Sequence, residues 1–193
     1  MIKLPKVYEI IHGNKEIQKI LEWPYDFILV TPTLDTTKYY FKTEKQALCV
    51  AEDASGGVFA LWGDGNIDER EIIYVSSEGQ AGKVANNFDY LISLIILCPF
   101  WRDLLKFSGE GQITEMKKAL PLLSKEYEED IPELEESRDY ILSVLPLPNI
   151  DDPVKLLYDS VTSQQNIVIK SNDGDIFEGL FNSFIVEDNP SWR

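Results

Sequence analysis

Ala47-Leu-Cys-Val-Ala-Glu-Asp-Ala-Ser-Gly-Gly-Val-Phe-Ala-Leu-Trp-Gly-Asp-Gly-Asn-Ile-Asp-Glu-Arg-Glu-Ile-Ile-Tyr-Val75 decides the fold class. It holds three apolar runs, Ala47–Ala51, Val58–Trp62 and Glu71–Val75, each short enough for a strand and rich in strand-forming residues. Asp53-Ala-Ser-Gly-Gly57 and Gly63-Asp-Gly-Asn66 separate them. Turns this short join antiparallel neighbours. Val58–Trp62 is apolar on both faces, which places it in the middle of a sheet.

Upstream, Asn14 to Glu22 forms a short helix with Ile17, Ile20 and Leu21 on one face, and Trp23-Pro24 ends it. Phe27–Val30 and Lys38–Lys42 read as strands. Downstream, a helix from about Gly82 to Leu97 carries the stripe Val84, Phe88, Leu91, Ile92 and Ile95, and Pro99 breaks it. Phe100–Phe107 continues as a shorter helix, and the glycine-rich Ser108–Gln112 is a linker. Met116, Ala119, Leu120 and Leu123 share a helical face, with Pro121 as a kink or break. Asp130 reads as the cap of a helix bearing Leu134, Ile141, Leu142 and Leu145. Asp151-Asp152-Pro153 opens a further helix with Val154, Leu157, Tyr158 and Val161. Ile167–Ile169, the Asn-Asp-Gly turn at 172–174 and Ile176-Phe177 signal a hairpin, whose second arm extends towards Phe184–Val186. Strands come first and helices second, without crossover alternation. The class is therefore α+β: an antiparallel sheet of about 4–6 strands packed against helices, a helical C-terminal half and a closing hairpin. The 193 residues fit one domain, 1–193, with a helical segment at 112–163 and the hairpin at 166–186.

Thirty-three acids against 18 bases give a net charge of −15. Such a field repels nucleic acid and anionic membranes; it either attracts basic partners or serves only to keep the protein in solution. Cys49 and Cys98 both sit in apolar runs and read as core residues of a reducing compartment, and no apolar leader opens the chain. The cytoplasm is the expected location.

Catalytic signals are poor. His12 is the one histidine, so a triad would have to use it. Gly109-Glu-Gly-Gln-Ile-Thr lacks the third glycine of a dinucleotide fingerprint and follows a helix instead of a strand. Asp64-Gly-Asn-Ile-Asp-Glu69 offers oxygens at the first positions of a calcium loop. However, it has Glu69 where glycine is needed and Val75 where the final carboxylate is needed. No catalytic residue, cofactor or metal is expected.

The binding signals are acidic and aromatic. Glu126, Glu128, Glu129, Asp130, Glu133, Glu135, Glu136 and Asp139 face a single base, Arg138, within one short stretch. This is either a solvated helix face or a landing surface for a basic protein. Asp64, Asp68 and Glu69 make a second acidic turn. Trp62, beside that turn, is open between core and interface, whereas Trp101 interrupts an apolar stripe and reads as core. The candidate partner-binding residues are Trp62, Asp64, Asp68, Glu69, Glu126, Glu128, Glu129, Glu133 and Glu136.

Residues 47–107 resemble the SUKH superfamily. The likeness is carried by Ala51-Glu-Asp53, Gly56–Trp62, Ile72–Gly79, Gly82–Ala85 and the run Phe88 to Leu105 with its Pro99-Phe-Trp101. This group includes a yeast regulator of cell-wall synthesis and bacterial immunity proteins against polymorphic toxins. The resemblance implies a non-catalytic α+β protein that neutralises a toxin, often a nuclease, by direct binding. The alternative it implies is an intracellular regulatory adaptor. A third reading, an enzyme acting on a small substrate, rests only on the abundance of carboxylates.

Overall fold

The computed structural model describes residues 3–163 and 167–192. Asn166, the first residue assigned above to the hairpin, lies outside them. A five-stranded antiparallel sheet forms the centre, in the order β1 (Ile28–Thr33), β3 (Ala47–Glu52), β4 (Val58–Trp62), β5 (Glu71–Val75), β6 (Ala81–Ala85). β4 is the middle strand, as its two apolar faces require. A smaller sheet pairs β2 (Phe41–Thr43) with β7 (Ile169–Ser171).

The two-residue period of a strand sorts the side chains into two cores. Leu48, Phe59, Leu61, Ile72, Tyr74 and Val84 face a helical layer. That layer is built from α1 (Lys6–Gly13), α2 (Lys15–Glu22), α3 (Phe88–Leu97), α4 (Trp101–Lys106), α5 (Ile113–Asp130), α6 (Leu134–Val144) and α7 (Pro153–Thr162). Cys49, Val58, Ala60, Trp62, Ile73 and Val75 face the other way, onto Phe41 of β2 and Ile169 of β7. The sheet is thus covered on both sides, by helices and by the β2–β7 ribbon. Met116, Ala119, Leu123, Leu134, Ile141, Leu157 and Val161 join the main core, so the helices after residue 112 are part of the body.

Several expectations need correction. Gly82–Ala85 is strand β6, not the start of a helix. The Ser76–Gln80 bend is a hairpin turn, with Gly79 at φ +93° and the Ser76 N–H donating to the Gln80 carbonyl at 2.8 Å. Val84 and Phe88 face the same core from a strand and from the helix after it, which imitates helical spacing. Lys38–Lys42 is not one strand. Thr36–Tyr39 is a 3₁₀ turn, Tyr40 takes φ +60°, and only Phe41 onward is extended. α5 runs unbroken through Pro121, held by Met116, Ala119 and Leu123 in the core on both sides. Asp130 ends α5 and caps nothing; Glu133 precedes α6. Residues 6–13, left unassigned above, are helix α1 with Val7, Tyr8 and Ile11 buried. The closing hairpin is a short one around Gly174: the Ser171 N–H donates to the Asp175 carbonyl at 2.7 Å, and the Phe177 N–H to the Ile169 carbonyl at 3.1 Å. Phe184–Val186 is not its second arm. It packs on the 108–112 linker, where the Gly109 N–H donates to the Phe184 carbonyl at 2.9 Å.

Candidate functional site

The end of the sheet at the β3–β4 turn is organised by one carboxylate. The Asp53 side chain is fully buried. Its Oδ1 accepts from the Ser55 N–H at 2.9 Å, the Ser55 hydroxyl at 2.6 Å and the Gly57 N–H at 3.0 Å. Its Oδ2 accepts from the Tyr74 hydroxyl and from Arg102 Nη1, each at 2.6 Å. Burial pushes the Asp53 carboxyl up. The hydrogen bonds from Ser55 and Tyr74, the Arg102 charge and the Gly57 N–H outweigh it and hold the group below its ordinary value. Burial and the same bond push the Tyr74 phenol well up. Gly57 is required here by space: a Cβ on it would lie 2.3 Å from the Tyr74 hydroxyl and 2.5 Å from Asp53 Oδ2.

Arg102, on α4, carries this network outward. Its Nη2 donates to Asp26 Oδ2, in the loop between α2 and β1. Asp26 also accepts from the Ala54 N–H at 2.8 Å, tying that loop to the β3–β4 turn. The next residues of the loop are anchored too. The Tyr25 hydroxyl lies 3.2 Å from the Ser137 hydroxyl of α6, and the Phe27 N–H donates to the Leu21 carbonyl at 2.9 Å.

Beside this loop lies a cleft of about 680 Å³. Pro24, Ile28, Pro99 and Ile131 supply apolar wall, while Glu22, Asp26 and Asp130 supply carboxylates. Among the described residues, Arg102 is the one base on the wall, and Asp26 and Asp53 already neutralise it. Trp23 stands at its edge, 66% exposed.

The acidic stretch adjoins this cleft. Glu128, Glu129, Glu133 and Glu136 are exposed around the α5–α6 corner. Some are partly occupied: the Ser124 hydroxyl donates to Glu128 at 3.0 Å, and Lys125 lies 3.7 Å from Glu129. Exposed contacts of this kind hold side chains weakly, which leaves the carboxylates free to exchange partners. Glu126 differs, being half-buried and accepting from the Trp192 indole N–H.

The other acidic group lies elsewhere. Asp64, Asp68 and Glu69 are exposed in the β4–β5 turn, at the opposite end of β4 from the cleft, on the order of 15 Å away along a five-residue strand. Asp68 accepts from the Lys6 N–H at 3.2 Å, at the start of α1. The two acidic groups therefore do not form one surface. Trp62 is a core residue, 8% exposed against Cys49 and Ile73, with Lys45 over its ring at 4.6 Å. Trp101 is core as well. Among the described residues, no three His, Cys, Asp or Glu side chains cluster as a metal site would need.

Two features of the site escaped sequence reading. Trp23 reads there only as the stop of α2. The set Asp26, Asp53, Tyr74 and Arg102 is scattered over 77 positions, and no local motif marks it. No helix among the described residues is long and apolar enough to cross a membrane. No protein-family model matches the chain, and no curated protein and no solved structure matches it either.

Proposed function

We propose that the chain is an immunity protein that binds and neutralises a cognate toxin domain with a basic surface, such as a nuclease, by direct contact in the cytoplasm. One observation carries the reading: the exposed carboxylates Glu128, Glu129, Glu133 and Glu136 gather at a single corner, beside an apolar cleft with an aromatic at its edge. Acidic charge steers a basic partner and sets its orientation, while buried apolar contacts hold it. Against a nuclease, the same carboxylates stand where substrate phosphates would, so binding closes the active site. The SUKH-like order of elements supports the toxin class of partner.

The test is association kinetics with the candidate toxin domain, sought as the variable C-terminal domain of any large secreted protein encoded by the neighbouring gene. The screening length shrinks from about 30 Å at 0.01 M salt to about 8 Å at 0.15 M, so the on-rate should fall steeply over that range. Reversing the charge at Glu128, Glu129 and Glu136 should slow association and flatten the salt dependence. A salt-insensitive on-rate, untouched by the reversal, contradicts the electrostatic mechanism. Capture of a housekeeping protein in place of a toxin would support the adaptor reading.

A further inference from the structure

We infer that the cleft beside Trp23 is the seat of one short segment of the partner: an apolar side chain, leucine or aromatic in size, with lysine or arginine near it in the segment. The inference deepens the neutralising reading and rests on it only in taking the occupant to be protein.

Three observations converge. The first is the state of the α2–β1 loop. Tyr25 and Phe27 are buried, Asp26 is tied to Arg102 and Ala54, and the Trp23 N–H donates to the Lys19 carbonyl at 3.1 Å. On this fixed backbone, Trp23 is left 66% exposed. A solvent-facing tryptophan on a pinned backbone needs little backbone ordering when a partner arrives, a condition that favours aromatics as binding anchors. The second is shape. A cleft of about 680 Å³ with Pro24, Ile28, Pro99 and Ile131 on its walls takes an apolar side chain together with neighbouring backbone.

The third is charge. Glu22 and Asp130 line the cleft, and neither carboxylate is hydrogen-bonded or ion-paired to another described residue. Asp26 and Asp53 satisfy Arg102, the only base there among the described residues. An acidic segment would meet repulsion on the cleft wall and a cation already paired. A basic one would find two free carboxylates on the wall of a partly apolar cleft, and the −15 charge of the chain adds to the attraction. Nucleic acid is disfavoured by the same field.

The experiment pans phage-displayed random dodecapeptides on the full chain, with counter-selection on Trp23→Ala. Enriched peptides are then synthesised and titrated calorimetrically. Trp23 is exposed, so its replacement should leave the urea midpoint unchanged. The expected winners carry an apolar residue with basic ones near it. They should lose roughly 30-fold or more in affinity on Trp23→Ala and retain most of it on Trp23→Phe. A Glu22→Lys, Asp130→Lys pair gives an independent reading, and it should weaken the same peptides with the aromatic intact. Enrichment of acidic peptides, winners that bind Trp23→Ala as tightly as the parent, or no enrichment over counter-selection would each overturn the inference. These outcomes need no toxin. Basic–apolar winners that depend on Trp23, from a chain that rescues no cell from a toxin, would keep the cleft and sink the neutralising reading; rescue without such winners would do the reverse.

Discussion

Replacing Asp53 by Asn tests the polar network that fixes the cleft. The amide keeps the shape of the carboxylate and keeps Oδ1 for the Ser55 and Gly57 donors. Oδ2 becomes an NH₂ group, so the Tyr74 hydroxyl and Arg102 Nη1 lose their shared acceptor and meet a donor instead. A hydrogen bond to a charged group contributes about 1.5–3 kcal/mol and a neutral one about 1 kcal/mol. Arg102 keeps Asp26, and the Tyr74 hydroxyl can turn to accept from the amide, which recovers part of the loss. The net cost is about 2–4 kcal/mol at neutral pH, and at this chain length each kcal/mol lowers Tm by about 2–4 °C. Urea unfolding followed by circular dichroism measures it. The pH dependence is a second signature. The folded Asp53 carboxyl lies below its unfolded value of about 3.9, so its stabilisation is complete above that value and is lost as pH falls through the lower, folded one. The gap between wild type and Asp53→Asn should therefore narrow below about pH 4. A gap under about 1 kcal/mol at pH 7, or one that stays constant into acid, would refute the assigned role of Asp53.

Other perturbations follow from the same structure. Gly57→Ala drives a methyl into the Tyr74 hydroxyl and Asp53, and should cost about 1–3 kcal/mol. Combined with Asp53→Asn, it should cost less than the sum of the single effects, because both act on one network; full additivity in a double-mutant cycle would contradict this. Burial pushes the Cys49 and Cys98 thiols up to about 12, so neither should react with a disulfide reagent at pH 8 until urea unfolds the chain. Trp62→Phe should lower the unfolding midpoint while leaving partner affinity unchanged, since Trp62 is buried on the sheet face away from the helices; weakened binding at unchanged stability would reverse that assignment.

The sheet was legible wherever local pattern and tertiary demand agreed. β3, β4 and β5 carry both strand composition and turn chemistry, and β4 reads as central because both of its faces are apolar. Asp152 is visible as a cap because its side chain and the following Pro153 act locally; it accepts from the Lys155 N–H at 2.8 Å. The failures share a cause. Pro121 marks a break by propensity, but contacts on both sides of it carry α5 through. β2 pairs with β7 across more than 120 residues, a contact no window of sequence contains. The site divides in the same way. The acidity at the α5–α6 corner is local composition and was readable. Its neighbourhood with Trp23, and the network that pins that loop, arise only from the packing of α2, α4, α5 and the β3–β4 turn. Trp62 shows the limit of composition: an aromatic beside an acidic turn looks like an interface until β2 and β7 are folded over it.

The most direct measurement is a rescue assay. The gene immediately upstream would be inspected for a large secreted protein, and the C-terminal domain of such a protein would be expressed in a host with and without this chain. Survival only in the presence of the chain, with the two copurifying as a complex that dissociates at high salt, is the predicted result. Death in both cases, despite soluble expression of the chain, would contradict the claim that it neutralises a toxin by binding it.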